Sequence, residues 1–286
     1  MPEKITFINS RGQSIELSNR RPFLLGSVEG KGDVQANVQT QKTPFQDGST
    51  PIDVLLNERS LTLPVMIMSE TQEALLVDRQ HLSAIFNPKL GEGILVYENL
   101  TVKREIKAIP ESVPSLPTGF ENNGFYHQRT IINLFCPNPY WRSLQITEEP
   151  AFQPLFQFPF EGEFQMGMQR DQRIINNDGD APVPIQVEFY GPAVNPLIRN
   201  NTTGEFIKVH QELLEGEYMK IDTTPGNKSV FFVSADGSER NVFNWIDLNS
   251  TFFSLVIGEN DIEYTADNDI QGAIVNIQYQ KLYTAV

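Results

Sequence analysis

The chain has 286 residues, 40% of them hydrophobic, a formal charge of −14 and one cysteine. That length suits two domains, each large enough to bury a core. A single thiol excludes an internal disulfide and a cysteine-built metal site, and the longest apolar run, Phe252–Ile257, is far too short to span a bilayer. Met1-Pro2-Glu3-Lys4 opens no apolar signal segment, which implies synthesis and folding in a cytoplasm.

Short runs at Ile5–Ile8 and Ser14–Leu17 flank a turn at Asn9–Gly12. Phe23-Leu24-Leu25 follows Pro22 and stops at Gly26. Leu61, Leu63, Val65 and Ile67 share one face of a two-residue period, which predicts a half-buried strand. Pro64, which has no N–H, places that strand at an edge or marks a bulge in it. Ser69 and Gln72 have capping-box spacing. The stripe Leu75, Leu76, Leu82, Ile85 and Phe86 predicts one α-helix, ended by Asn87-Pro88. Strands resume at Gly93–Tyr97, over Leu100–Ala108 and over Arg129–Phe135. The prolines of Cys136-Pro137-Asn138-Pro139-Tyr140-Trp141 then forbid further pairing.

A boundary is expected near residue 145, giving domains 1–145 and 146–286. Residues 1–147 hold 14 Lys+Arg against 15 Asp+Glu, whereas residues 148–286 hold 8 against 21. Copies of a near-neutral half can pack side by side without strong repulsion. An acidic half argues against a nucleic-acid backbone as partner. The second half reads as short strands punctuated by Gly, Asn, Asp and Pro, the pattern of a sandwich or jelly roll. Asn244–Asp247 suggests one helical turn. The fold class expected is mainly β: two β-sandwich domains, the first carrying the single α-helix.

Several residue groups bear on chemistry. Gly26-Ser27-Val28-Glu29-Gly30-Lys31-Gly32 is one residue short of a phosphate loop and lacks its Ser/Thr, so it reads as a turn. Asp267–Gly272 opens like a calcium loop, but Gln278 stands where a bidentate Glu is needed. Glu259, Asp261 and Glu263 alternate on one strand face; they are read as a solvated face, against a metal site or a glycosidase pair. Cys136 reads as a buried apolar residue. His81, His127 and His210 sit in no metalloprotease or nucleophile motif. No catalytic, cofactor-binding or metal-binding residue is therefore assigned. Trp245, Tyr190, Phe189 and Tyr218 are aromatic residues of the β-rich half. Core packing is the first reading for them, and stacking on sugars through Trp245 and Tyr190 the second.

Residues 189–222 run Phe189-Tyr190-Gly191-Pro192, Asn195-Pro196-Leu197-Ile198, Asn200-Asn201-Thr202-Thr203-Gly204-Glu205, then Glu215-Gly216-Glu217-Tyr218 and Ile221-Asp222-Thr223. This order resembles the C-terminal domain of the siphophage distal tail protein family. Trp245-Ile246-Asp247-Leu248, Gly258-Glu259-Asn260 and Ile262-Glu263-Tyr264 are similar to the family's ending. The resemblance implies an N-terminal domain that forms a homohexameric ring and a galectin-like C-terminal domain outside it. It implies a structural, non-enzymatic role as a hub in the virion tail. Its partners would be the tail tube protein, a tail-tip protein and receptor-binding proteins, with no membrane. A carbohydrate-binding module on the tail is the second reading.

Overall fold

The two-residue period of the N-terminal sequence becomes a two-residue period of burial. β1 (Lys4–Ile8) buries Ile5 and Phe7, and β2 (Ser14–Leu17) buries Ile15 and Leu17, so a slip of one residue would turn either strand inside out. They pair across a turn in which the Asn9 side chain accepts from the N–H groups of Arg11 and Gln13. Next come β3 (Phe23–Leu25), β4 (Ala36–Gln41), β5 (Thr50–Leu56) and β6 (Arg59–Met68). After helix α1 (Gln72–Ile85) follow β7 (Gly93–Glu98), β8 (Lys103–Pro110), β9 (His127–Cys136) and β10 (Trp141–Ser143). The computed structural model describes residues 3–144, 147–150, 172–267 and 274–286.

The main sheet runs β2-β1-β7-β8-β9-β6-β3. Its two ends meet where Ser18 bridges Leu24, so the sheet folds over on itself and encloses the core. Leu61, Leu63, Val65 and Ile67 of β6 point into that core with Leu95, Ile106, Ile132, Leu134 and Trp141. Helix α1 adds Leu75, Leu82 and Ile85, and Phe86 just beyond it stacks on Phe7 at 4.6 Å between ring centres. Leu76, assigned to the same stripe by spacing, is half exposed together with Val77.

Three local expectations shift. The helix is capped by Thr71, whose hydroxyl accepts from Ala74 N–H at 3.1 Å; the Ser69 hydroxyl donates instead to Asp78 at 2.6 Å. β8 starts at Lys103 because Asn99 Oδ1 accepts from the N–H groups of Thr101 and Val102, which bends Leu100 out into solvent. β6 is not an edge: β9 pairs along its whole length and β3 along Val65–Ile67. The missing N–H of Pro64 is accommodated on the β3 side. There Gly26 N–H reaches Pro64 O at 2.9 Å, the chain bows away, and it returns where Glu29 bridges Thr62.

The second unit contains β11 (Thr147–Pro150), β12 (Gln172–Asn177), β13 (Val183–Pro184), β14 (Gln186–Tyr190) and β15 (Ala193–Val194). It continues with β16 (Leu197–Asn200), β17 (Glu205–Lys208), β18 (Glu212–Leu213), β19 (Tyr218–Asp222) and β20 (Ser229–Val233). β21 (Glu239–Asn241), β22 (Ser254–Leu255), β23 (Gly258–Thr265) and β24 (Val275–Tyr279) complete it. The two larger sheets are β11-β24-β14-β19-β20-β21 and β12-β23-β16-β17. Inward residues of the first, such as Val187, Phe189, Ile221 and Phe232, are buried, as are Ile175, Ile198, Ile207 and Ile262 of the second. Phe189 and Tyr264 meet edge to face at 6.3 Å, joining one sheet to the other as sandwich layers do. Gly216 takes φ +80 in the β18–β19 turn, a conformation that glycine adopts at low cost. In the β16–β17 turn it is Asn200 Oδ1 that accepts, from Thr202 N–H at 3.0 Å.

The structure divides into Met1–Leu144 with Tyr283–Val286, and Gln145–Leu282. The second domain was expected over residues 146–286; in the structure Tyr283–Val286 group with the first unit. Arg59 donates to Thr284 O, Arg104 donates to Ala285 O, and the Arg104 guanidinium lies 3.5 Å from the centre of the Tyr283 ring. These charge-assisted contacts hold the segment in the first unit.

Candidate functional site

β4 and β5 pair only with each other and form a hairpin that the described residues leave uncovered. Opposed pairs Ala36–Leu56 and Val38–Val54 place four apolar side chains on one face. Asn37, Leu55, Gln39 and Asp53 occupy the other, so that face is mixed. A register shift at Gln39/Thr40 bulges Ile52 outward. Val38 is 52% exposed, Val54 56% and Ile52 65%. A lone two-stranded ribbon is marginal in water, and an uncovered apolar face of this kind marks an interaction surface. At the tip, Phe45 has φ 66 and is fully exposed. A bulky side chain in the left-handed region is strained. The strands carry that tip about 20 Å from the hairpin's base.

The base is pinned. Arg59, which follows β5, is 2% exposed. It donates to Gly30 O ahead of β4, and its Nε reaches Pro139 O at 2.8 Å. Burial pushes the pKa of its guanidinium down, and these carbonyl partners offset the burial of its charge. Asn57 N–H bonds Gln35 O at 2.9 Å, and Trp141 Nε1 donates to Lys31 O at 3.2 Å. Lys31 also bonds Glu3, which lowers the pKa of that carboxyl. The glycine stretch 26–32 is thus the hairpin's footing. Gly30, at φ +85, brings its Cα so close to Ser60 O that a Cβ would lie 2.0 Å from that oxygen.

A second surface opens where the chain bows away from Pro64. It is a groove of about 570 Å³ lined by Leu24, Pro64, Met66, Pro117, Arg129 and Ile131, among others. The buried Thr130 hydroxyl in its lining has no hydrogen-bond partner among the described residues. The loop supplying Pro117 also exposes Phe120, Phe125 and Tyr126. The hairpin is convex and the groove concave, so they are unlike surfaces of one unit.

The chemistry-bearing residues sit apart from one another. Cys136 is buried and its thiol is pushed up to about 12 by burial, the state of an inert core thiol. His81 is exposed on α1 beside Phe23, and His127 packs under Gly124. His210 Nε2 lies 2.9 Å from Asp247 Oδ2. Glu259, Asp261 and Glu263 do alternate along β23. The Asn201 amide donates to Asp261 at 3.4 Å and Glu263 at 3.1 Å. Asp267 accepts from Asn195 at 2.7 Å and Lys208 at 3.1 Å, which lowers its pKa; the rest of the 267–272 motif lies outside the described residues.

Among the four aromatics, Phe189 is core. Tyr190 stacks on Tyr218 at 5.1 Å and donates to Glu188 at 3.0 Å. Trp245 ends a 3-10 turn, Phe243–Trp245, beneath Arg240. Tyr190, Tyr218 and Val233 align in one row of the sheet, and Phe189, Met219, Phe232 and Arg240 in the next. Successive rows point to opposite faces, and Trp245 lies outside these strands.

The hairpin escaped the sequence reading. Its signal was the spacing of Val38 with Ala36 and of Ile52, Val54 and Leu56. Gln, Asn and Pro interrupt it, and the bulge at Ile52 breaks the period.

A family model described as the phage tail protein RIFT-related domain matches residues 10–136, and one described as the siphovirus-type tail component, C-terminal domain, matches residues 178–283. No curated protein matches the chain. Among solved structures, the SPP1 Dit (gp 19.1) protein, described as a paradigm of the hub adsorption apparatus in phages infecting Gram-positive bacteria, is similar with a TM-score of 0.68 at 12% identity. The match covers 97% of this chain and 98% of that one. A chain of the phage P2 baseplate, in its activated conformation with calcium, is similar with a TM-score of 0.58 at 10% identity, over 100% of this chain and 99% of that one.

Proposed function

The chain belongs to the siphophage distal tail protein family and is a structural component of the phage tail, and from that premise we propose that it is the hub joining the tail tube to the tail tip. Copies of the first unit close a ring, and six copies is what the family resemblance implies. The uncovered apolar hairpin carries this reading. An element of that kind, on a unit that also has an unlike apolar groove, suits a heterologous interface repeating head to tail, and such interfaces close into rings. The near-neutral charge of residues 1–147 lets like copies approach.

In this reading one face of the annulus meets the tail tube protein and the other a tail-tip protein. The acidic, galectin-like second unit stands outside and orients receptor-binding proteins. The chain is made in the host cytoplasm and catalyses no reaction; it works by surface fit. Negative-stain images of the purified protein, alone and with its neighbouring tail proteins, test this. Annuli that stack on the tube protein are the expected outcome. Single particles in every mixture would refute it.

A further inference from the structure

The second unit is strongly acidic, yet one edge of it gathers cations on aromatic rings. The Arg240 guanidinium lies 5.5 Å from the Trp245 ring centre and 5.4 Å from that of Phe232. Lys228 Nζ lies 5.7 Å from the Phe252 ring centre, and Phe252 stacks on Phe243 at 5.7 Å with planes 15° apart. Trp245 is 38% exposed, Phe243 45%, and Leu248 beside them fully exposed. Arg240 pairs in register with Phe232, and Val242 N–H bonds Val230 O. Arg240 thus extends the Phe232 row at the sheet's edge, and Lys228 immediately precedes β20, about 13 Å from that row along the strand.

The pairing of charges sets this edge apart. Lys208, Lys220 and Lys281 are held by Asp267, Glu239 and Asp178, and Arg199 stands singly over Phe206 at 5.6 Å, whereas this edge brings two such cations together. Among the described residues, no carboxylate lies within salt-bridge distance of Lys228 or Arg240, and both are exposed. The nearby acids are engaged elsewhere: Glu239 with Lys220, Asp247 with His210, and Asp236 in its turn with Ser238.

We infer that this edge, from Lys228 across Phe243 and Trp245 to Arg240, binds an anionic glycan. Exposed rings offer faces on which sugar rings stack, and free cations supply charge-assisted hydrogen bonds to phosphate or carboxylate groups. The remainder of an acidic domain repels such a polymer, which confines it to this edge. The apolar area is a few hundred Å² at most, below the roughly 800 Å² per partner of a stable protein interface. It is ample for two or three sugar rings. The inference uses the tail reading only for where the glycan is met.

The test is calorimetric titration of the full chain with glycerol-phosphate teichoic acid, hyaluronate, neutral dextran and poly-L-glutamate, at low and high salt. Binding of either anionic glycan, weakened by salt and absent for dextran, is expected. The double variant Lys228→Glu/Arg240→Glu should bind about tenfold more weakly or worse with unchanged melting temperature, and Trp245→Ala should lose as much binding at a lower melting temperature, since its ring is more than half buried. No binding of either anionic glycan, equal binding of poly-L-glutamate, or variants that bind as the parent does would overturn the inference. Light scattering on the same samples separates the two readings. A ring without glycan binding sinks this inference alone, and glycan binding without a ring sinks the hub reading alone.

Discussion

Arg59 and Thr284, 225 positions apart in the chain, are joined by a hydrogen bond of 2.6 Å from Nη2 to the carbonyl oxygen. The same guanidinium holds Gly30 and Pro139, so one buried side chain fixes the hairpin base, the exit strand and the returning end of the chain. Arg59→Met leaves three carbonyls without this donor and should cost about 3 kcal/mol or more. Denaturant unfolding of the first unit's transition checks it. A loss under about 1 kcal/mol would mean the clasp is replaceable by water.

Thr71→Ala removes the side-chain cap of the helix and should cost about 1 kcal/mol. Ser69→Ala should not mimic it, since Ser69 bonds Asp78 rather than a helix N–H. Equal losses in urea denaturation would return the cap to Ser69.

The Cys136 thiol supplies a test at alkaline pH. Burial raises its pKa from 9.0 to about 12. The folded state thus favours the neutral thiol, a preference costing nothing below pH 9. Between pH 9.0 and about 12 the unfolded chain releases a proton that the folded chain keeps. Stability should therefore fall across that window, by at most about 1.4 kcal/mol per pH unit from this group. Cys136→Ala should flatten that part of the pH profile. In the native protein at neutral pH the thiol should react with a thiol reagent only as fast as the chain opens.

At the acidic end the sign reverses. Bonds from Lys31 to Glu3 and from Lys281 to Asp178 lower the two carboxyl pKa values. Their contribution is complete above the ordinary carboxylate range and is lost as pH falls through the lowered values. Both are partly exposed, so the effect should stay below about 1 kcal/mol each. The variants Glu3→Gln and Asp178→Asn, melted at pH 7 and pH 3, should differ from the parent only at pH 7.

Much of the fold was legible because burial follows a local period. Ile5/Phe7 and Leu61/Leu63/Val65/Ile67 announce their strands, and the stripe from Leu75 to Phe86 announces the helix. What escaped depends on distant partners. The hairpin buries nothing within the described residues, so no hydrophobic period was imposed on it beyond Val38, Val54 and Leu56. The clasp on Thr284 joins residues 225 apart, and Arg59 reads in sequence as an ordinary surface cation. Which face Tyr190 takes was equally hidden, because one residue of register decides which face a side chain takes.

Ring assembly depends, in the reading proposed above, on copies of the first unit meeting through the hairpin. Size-exclusion chromatography with light scattering at high protein concentration, on the parent chain and on Val38→Asp/Val54→Asp, tests that most directly. The parent should elute with the mass of about six 32.4 kDa chains. The variant should elute as a single chain of unchanged melting temperature, because both sites are exposed within one copy. A parent that stays a monomer at every concentration, or a variant that assembles as the parent does, would contradict it.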